Sequence, residues 1–176
     1  MIYSGKFKVT SIFGNRTLNG KTSMHKGIDV VGIESKNICA VVPGTVVSST
    51  IITDKTNPAW EWGNYVRVDG DDGRRYYYCH MDKRFVKAGQ RVAAGDHLGV
   101  EGNTGYSFGS HCHFEVRDAS GKSINPAPFL GVENRVGTYG DDYRAIVKKR
   151  YGFDENTMRY LDGHPFADDL YRKLSK

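Results

Sequence analysis

The fold class is clearest in residues 65–81, which read YVRVDGDDGRRYYYCHM. Residues 65–69 alternate between apolar and polar side chains, residues 70–73 form the turn sequence Gly-Asp-Asp-Gly, and residues 74–81 alternate again. A period of two is typical of a strand, and a short Gly- and Asp-rich turn is typical of an antiparallel connection. The stretch therefore predicts a β-hairpin over residues 65–81.

Similar short runs of β-branched and aromatic residues extend from residue 7 to about residue 128, separated by Gly, Pro, Asn and Asp. Of the 21 glycines, only Gly152 and Gly163 lie beyond residue 140. Helical periodicity is absent from the glycine-rich part. We therefore predict a mainly β domain over residues 1–138, built as an antiparallel sheet or open sandwich.

The last part of the chain has a different pattern. Apolar residues recur there at helical spacing: Tyr143, Ile146, Val147, Tyr151, Met158 and Leu161. Gly152 ends the first segment, Asp154 is a candidate N-cap for the second, and Pro165 suits the first turn of a third. We predict a short helical appendage over residues 139–176.

Composition and charge exclude several classes of protein. The formal net charge is +5, and the basic residues are scattered, so the sequence predicts no nucleic-acid partner. No run of about 18 apolar residues exists, so we expect no membrane-spanning helix and no membrane partner. The cysteines Cys39, Cys79 and Cys112 are odd in number and lack C-x-x-C spacing, which argues against a disulfide framework.

The segment His111-Cys112-His113 is the clearest candidate for chemistry. In a strand, residues two apart point to the same side, so both imidazoles share one face while Cys112 and Phe114 face the opposite, apolar side. The same alternation predicts that Tyr76, Tyr78 and His80 share one face and that Cys79 lies with the apolar residues on the other. Cys79 and Cys112 are therefore predicted to be core residues and not metal ligands.

His25 and Asp29 form a third element. Four residues apart in an extended chain, they would lie ~13 Å apart, which is too far to share one ion unless the chain turns. Gly27 permits such a turn. Imidazole and carboxylate are good zinc ligands, and a catalytic zinc commonly has three protein ligands. The residues thus predict a set of His25, Asp29 and one of His111 or His113, with the remaining imidazoles handling protons and charge.

Other residues receive less specific interpretations. His97 and His164 are predicted to be surface or loop residues outside the site. Tyr76, Tyr78 and Tyr106 fit two alternatives equally: they line a cleft, or they are ordinary half-buried tyrosines.

These residues resemble the lysostaphin-like (LytM, M23) zinc metallopeptidases of bacterial cell walls. The resemblance covers about residues 10–130 and includes His25…Asp29 with segments 11–16, 42–47, 63–66, 78–81, 86–92, 102–105, 111–116 and 124–126, in the order of the family. Two departures are mild: an aliphatic residue is usual where Cys112 stands, and the family usually has Ala-His-Leu where Cys79-His80-Met81 stands. Both departures are expected on the apolar face, where they affect packing and not catalysis.

The resemblance implies a fold, a cofactor and a role for each residue. His25, Asp29 and His113 are implied to bind one Zn²⁺ per chain, His111 to be the general base for a metal-activated water, and His80 to stabilise the transition state. The implied activity is zinc-dependent endopeptidase action on the stem or cross-bridge peptides of peptidoglycan. The bond cut would be either a direct cross-link between stem peptides or one in a glycine-type bridge.

Two alternatives compete with the enzyme. A non-catalytic relative would bind the wall or activate another hydrolase, but it would be expected to lack zinc ligands, and here all five positions are filled. Residues 86–96 resemble half of the barrel of a biotinyl-lipoyl carrier. However, no lysine stands at the hairpin tip where such a carrier is modified.

The sequence begins Met-Ile-Tyr-Ser-Gly-Lys, without the apolar core of a secretion signal. A wall hydrolase of that kind resembles a bacteriophage protein that acts on the wall as a virion component or lysis protein. A domain excised from a longer secreted enzyme is the other interpretation. The appendage would then contact other domains or virion proteins.

Overall fold

The computed structural model describes residues 1–18, 20–140, 143–162 and 167–175. Within these residues the strands are β1 Phe7–Ser11, β2 Gly14–Leu18, β3 Lys21–His25, β4 Ile28–Gly32, β5 Asn37–Cys39, β6 Gly44–Ile51, β7 Asn64–Gly70, β8 Arg75–Cys79, β9 Lys83–Arg84, β10 Arg91–Val92, β11 His97–Val100, β12 Cys112–Arg117, β13 Ser123–Ile124 and β14 Gly137–Tyr139. The helices are a 3-10 helix at Pro58–Trp62 and α1 Ala127–Leu130, α2 Tyr143–Tyr151, α3 Glu155–Asp162 and α4 Ala167–Leu174.

One large antiparallel sheet dominates the described chain. Its strand order is β10-β6-β7-β8-β12-β4-β1-β14, and β13 pairs with β12 at the side. Two smaller sheets have the orders β5-β11-β9 and β2-β3. The prediction of a mainly antiparallel β fold is confirmed.

The predicted hairpin is formed by β7 and β8. Val66 pairs with Tyr78 and Val68 with Tyr76, and all four side chains are fully buried. Tyr76 and Tyr78 are therefore core residues and do not line a cleft. Tyr106, by contrast, is 57% exposed.

The main core lies on the face of the sheet to which Tyr76 and Tyr78 point. Cys112 and Phe114 of β12 point to this face, as the alternation predicts. Each large apolar side chain buried there contributes ~1.5–3 kcal/mol to the free energy of unfolding. The strands that carry the predicted site residues are therefore fixed by apolar packing on the opposite face of the same sheet.

The opposite face of the same sheet carries a second, smaller cluster. Tyr65, Tyr77 and Cys79 are buried there, with Ile52 and Trp62 packed against them. Cys79 faces away from Tyr76 and Tyr78, as the alternation predicts. The expectation that its face excludes it from the site is wrong, because Cys79 lies directly opposite His113 in the β8–β12 register and so points to the same side. The prediction that Cys79 is buried is right.

The tail forms three helices with a shared buried cluster of Val147, Met158 and Tyr171. Asp154 caps α3 through a 2.8 Å bond from the Thr157 amide to its carboxylate. Asp141, Asp142, His164 and Pro165 lie outside the described residues. The sheet extends to Tyr139, one residue past the expected domain boundary, and the division into two domains stays a prediction. No helix in the described ranges has the length and apolar character needed to cross a membrane.

Glu101 is a buried carboxylate that joins distant parts of the domain. It accepts hydrogen bonds from the Tyr3 hydroxyl at 2.7 Å, the Gly32 amide at 2.8 Å, the Lys36 ammonium at 2.8 Å and the Ser110 hydroxyl at 2.7 Å. Burial raises the pKa of Glu101, but these bonds outweigh burial and lower the pKa below its usual value. The ionised form is therefore the one that the fold stabilises.

We predict that Glu101→Gln lowers the free energy of unfolding at pH 7 by about 1–3 kcal/mol, because charge-assisted bonds to a buried group are lost. An exposed control, Glu133→Gln, should change it by much less, since the Glu133–Arg135 pair is on the surface. Because the folded-state pKa of Glu101 lies below the unfolded value of ~4.3, its contribution is present above that pH and is lost as the pH falls through the folded pKa. Urea titrations at several pH values measure this; an equal loss in both variants would contradict it.

Candidate metal centre and catalytic site

Three predicted ligands meet at one point of the large sheet. Asp29 Oδ1 lies 3.1 Å from His25 Nε2 and 2.9 Å from His113 Nδ1, and the two imidazole nitrogens are 3.1 Å apart. His113 is directly opposite Asp29 in the β4–β12 register, which places both side chains on the same face. Of the two histidines that the residues left open, His113 is therefore the one in contact with both His25 and Asp29.

The chain turns between His25 and Asp29. His25 ends β3, which pairs with β2, whereas Asp29 lies in β4, which pairs with β1 and β12. A Cβ atom on Gly27 would lie 2.6 Å from His113 Cε1 and 2.6 Å from the Phe114 carbonyl oxygen. Glycine is needed here because the His113 ring occupies the space of a side chain.

The donor set fits a zinc ion. Two imidazole nitrogens and one carboxylate oxygen are common ligands of catalytic zinc, and tetrahedral bonds of ~2.0–2.1 Å place ligand atoms roughly 3.3 Å apart. The observed spacings of 2.9–3.1 Å are within a few tenths of an ångström of that value. Small outward movements of the three side chains would make room for a metal ion between them.

Groups behind the ligands fix their orientation. His25 Nδ1 donates to the Ile12 carbonyl at 2.7 Å, so the lone pair of the neutral ring is on Nε2, the nitrogen that faces the site. Arg16 donates to Asp29 Oδ2 at 3.1 Å and to the Ser11 hydroxyl at 2.6 Å, which leaves Oδ1 toward the histidines. Arg16 lies in a segment that resembles the family, but spacing alone gives no signal for this role.

Electrostatics couple Asp29 and His113. Burial raises the pKa of Asp29, but hydrogen bonds with His113 and His25 outweigh burial and hold this pKa well below its usual range. Burial lowers the pKa of His113, but the hydrogen bond with Asp29 and the nearby Glu115 carboxylate outweigh that effect and raise it to about 9. A metal ion competes with this proton, so metal affinity should fall as the pH decreases.

Glu115 is a site residue that the sequence reasoning did not single out. Its Oε2 atom is 3.9 Å from His113 Nε2, on the side of the ring away from Asp29. Glu115 is almost fully buried and is also held by Arg117 and Ser123. Period-two alternation could have placed Glu115 on the face of the site, because Glu115 follows His113 by two positions in the same strand.

His111 stands beside the three ligands with one nitrogen directed at them. Its Nδ1 donates to the Gly109 carbonyl at 2.8 Å and lies 3.2 Å from the Ser107 hydroxyl. Its Nε2 is 3.7 Å from Asp29 Oδ1. The neutral ring therefore presents a free lone pair on Nε2, which is what a general base requires.

His80 reaches the site through an unusual backbone conformation. Its φ of 63° is in the left-handed region, which non-glycine residues rarely adopt, and its amide donates to the Trp62 carbonyl at 2.9 Å. The prediction that His80 shares a face with Tyr76 and Tyr78 is wrong, because this conformation breaks the alternation and turns the ring away from the core.

The ring of His80 is well ordered by its neighbours. Nδ1 donates to the Thr104 carbonyl at 2.8 Å, and the ring centroid lies 4.7 Å from that of His111 and 5.9 Å from that of His113. Burial, followed by the neighbouring imidazoles His111 and His113, lowers the pKa of His80 to about 4. The neutral ring therefore offers Nε2 as an acceptor.

The loop that carries His111 also carries exposed aromatic side chains. Trp60 contacts Tyr106 edge-on, and Tyr106 contacts Phe108, which is 90% exposed. Of the remaining histidines, His97 is exposed on β11, as expected for a residue outside the site, and His164 lies outside the described residues.

Several known proteins are similar to this chain in sequence. Residues 23–126 match the sequence profile of peptidase family M23. Lysostaphin of Staphylococcus simulans is 34% identical over 122 residues, which are 67% of this chain and 24% of that protein. The peptidoglycan DD-endopeptidase ShyC of Vibrio cholerae is 33% identical over 111 residues, 61% of this chain and 24% of ShyC. The murein hydrolase activator NlpD of Escherichia coli is 32% identical over 114 residues, 65% of this chain and 28% of NlpD.

The solved catalytic domain of lysostaphin from Staphylococcus simulans superposes with a TM-score of 0.57 at 29% identity, covering 70% of this chain and 91% of that domain. The chain spans only 24–28% of the length of the three curated relatives. The similarity therefore concerns the domain that contains the site.

We predict that Gly27→Ala greatly weakens metal binding, because the new methyl group would collide with the His113 ring. Gly137→Ala is the matched control, since its Cβ would meet only ordinary contacts of 3.4–3.6 Å. Zinc titration by calorimetry measures both variants. Wild-type affinity in Gly27→Ala would contradict the placement of His113.

Proposed function

The chain belongs to peptidase family M23, and we propose that it is a zinc-dependent endopeptidase that hydrolyses peptide cross-links of bacterial peptidoglycan. The observation that carries this proposal is the convergence of Asp29 Oδ1, His25 Nε2 and His113 Nδ1 within 3.1 Å of one another. The similarity to lysostaphin and to the DD-endopeptidase ShyC supports the substrate class.

In this proposal His25, Asp29 and His113 hold one Zn²⁺. When bound, zinc supplies a Lewis acid that polarises the scissile carbonyl and makes water a stronger nucleophile near neutral pH. Arg16 and the Ile12 carbonyl keep two of the ligands in place, so the site is organised before substrate arrives.

His111 is the proposed general base. Because its Nδ1–H is engaged by the Gly109 carbonyl, Nε2 is the atom that takes a proton from the attacking water. The same atom can return that proton to the leaving amine. The 3.7 Å separation of Nε2 from Asp29 Oδ1 places this proton transfer beside the metal ligands.

His80 is the proposed second catalytic residue. Its Nδ1–H is engaged by Thr104, so Nε2 is the atom directed to substrate. Because the pKa of His80 is lowered to about 4, the ring begins the reaction neutral. A developing oxyanion accepts a hydrogen bond only from an N–H, so His80 stabilises it when Nε2 carries a proton taken up from solvent.

A second candidate function is activation of another wall hydrolase without catalysis. The similarity to the murein hydrolase activator NlpD favours it. The presence of all three metal-ligand positions together with His80 and His111 favours the enzyme, since an activator has no need of a base and a metal.

We further propose that the protein acts on the wall as a phage virion component or lysis protein, with α2, α3 and α4 contacting other domains or virion proteins. The three helices share a buried cluster of their own, Val147, Met158 and Tyr171, as expected of a small module that presents a surface to a partner.

Digestion of purified walls tests the activity. Zinc-loaded protein should release new amino termini from walls with direct stem-peptide cross-links or from walls with glycine bridges, and the terminus released identifies the bond. A chelator should abolish release and added Zn²⁺ should restore it. Failure to release any amine with zinc bound would contradict the proposed peptidase.

Two histidine variants separate metal binding from proton transfer. We expect His111→Ala to retain zinc but to lose turnover by roughly 10²–10⁴-fold, the usual contribution of a general base. His113→Ala should lose both zinc and turnover.

Metal content by mass spectrometry and amine release by wall digestion measure these effects. His97→Ala, an exposed histidine away from the site, is the control and should behave as wild type. If His111→Ala lost zinc and His113→Ala kept it, the two assignments would be reversed.

A further inference from the structure

Arg117 is held rigidly on the same face of the sheet as the proposed metal ligands. Its guanidinium carbon lies 4.9 Å from the centroid of the Tyr77 ring and 5.4 Å from that of Trp62. Its Nε donates to Glu115 at 2.8 Å. Stacking on two rings together with one charge-assisted bond fixes the plane of the guanidinium group.

The terminal nitrogens of Arg117 are left available. Neither Nη1 nor Nη2 donates a hydrogen bond to any residue in the described ranges, and the side chain remains 25% exposed. A guanidinium with its Nε engaged and its outer edge open presents two parallel donors, which match the two oxygens of a carboxylate. Because the group is already fixed, little rotamer entropy remains to be lost when a ligand binds.

The charges around Arg117 are unbalanced. At the end of this face away from Asp29, the described residues around Arg117 include the arginines Arg67 and Arg75 and the acids Asp69 and Glu115. Arg67 already makes two 2.7 Å bonds to Asp69, and Glu115 is bonded to Arg117.

Arg75 and Arg117 stand directly opposite each other on β8 and β12. Like charges in that position destabilise a sheet, and an anion placed between or beside them would relieve the repulsion. The set thus carries one positive charge in excess, on the side where a ligand can reach it.

The position relative to the metal ligands follows from the strand. His113 and Arg117 are four residues apart on β12, on the same face, which corresponds to ~13 Å along the strand. An extended peptide advances by a similar ~3.3 Å per residue. A peptide lying along β12 would therefore bring a group about four residues from the metal ligands to the open edge of Arg117.

We propose that Arg117 forms a carboxylate-binding subsite that recognises a free carboxylate of the peptide substrate about four residues from the scissile bond. This inference rests on the proposed function for the identity of the ligand as a peptide. The carboxylate accepts two hydrogen bonds from Nη1 and Nη2, and the stacking of Arg117 on Trp62 and Tyr77 sets the plane in which it binds.

The test compares two synthetic cross-linked stem peptides with zinc-loaded wild-type protein. One has free carboxylates, and the other has the same carboxylates converted to neutral carboxamides. We expect KM to be about 10- to 100-fold lower for the carboxylate peptide, with kcat little changed, because a charge-assisted pair far from the scissile bond contributes to binding. Equal KM values for the two peptides would overturn the subsite.

Two variants test whether Arg117 is the residue responsible for the preference for the carboxylate peptide. Arg117→Lys keeps the positive charge next to Glu115 but lacks the planar fork, so the ratio of the KM values for the carboxamide and carboxylate peptides, measured with the same variant, should fall by roughly tenfold or more. Arg91→Lys is the matched control, since Arg91 forms an exposed two-bond pair with Asp71 on the edge strand β10. Retention of the full preference in Arg117→Lys would overturn the assignment to Arg117.

If neither peptide is cleaved, the proposed function fails, and calorimetric titration with the same two peptides decides the subsite separately. At least tenfold tighter binding of the carboxylate peptide would support the subsite without catalysis. Equal affinities would overturn it.

Discussion

The register of β12 between β4 and β8 is the constraint on which the site depends. It sets His113 directly opposite Asp29 on one side and Cys79 on the other. Since a slip of one residue would turn every side chain of β12 to the opposite face, the same register that buries Cys112 and Phe114 delivers His113 to the ligands. The free energy that fixes the site is therefore that of the apolar core beneath it, and little of it has to come from the polar contacts themselves.

Backbone carbonyls define the protonation pattern of the site. Ile12, Thr104 and Gly109 each accept the Nδ1–H of a different histidine, which directs the Nε2 lone pairs of those three rings toward a common centre. Two of these carbonyls belong to the loop between β11 and β12, and Ser110 of that loop is tied to the buried Glu101. The loop is thus anchored at its base, although its aromatic tip is exposed.

Sequence periodicity predicted the fold and most of the site but not how the chain departs from regular strands. The hairpin, the buried face of β12 and the grouping of His111 with His113 follow from alternation. The position of the His80 ring does not follow from alternation, because the left-handed backbone conformation of His80 turns its side chain to the opposite face of the sheet. No motif in the chain encodes that backbone angle. The choice of His113 over His111 came from the family resemblance, and the contacts of His113 with Asp29 agree with it. Arg16 and Glu115 act through long-range contacts. Alternation along the strand could have indicated Glu115, but no sequence spacing indicates the role of Arg16.

In the proposed metal centre, one zinc ion is held by two imidazoles and one carboxylate of this chain. X-ray absorption at the zinc edge of the loaded protein tests it most directly, because sulfur and nitrogen ligands differ by ~0.2–0.3 Å in bond length. We expect only nitrogen and oxygen neighbours at ~2.0–2.2 Å, with scattering from two imidazole rings. A sulfur neighbour at ~2.3 Å would contradict it and would bring Cys79, which shares the face of His113, into the ligand set.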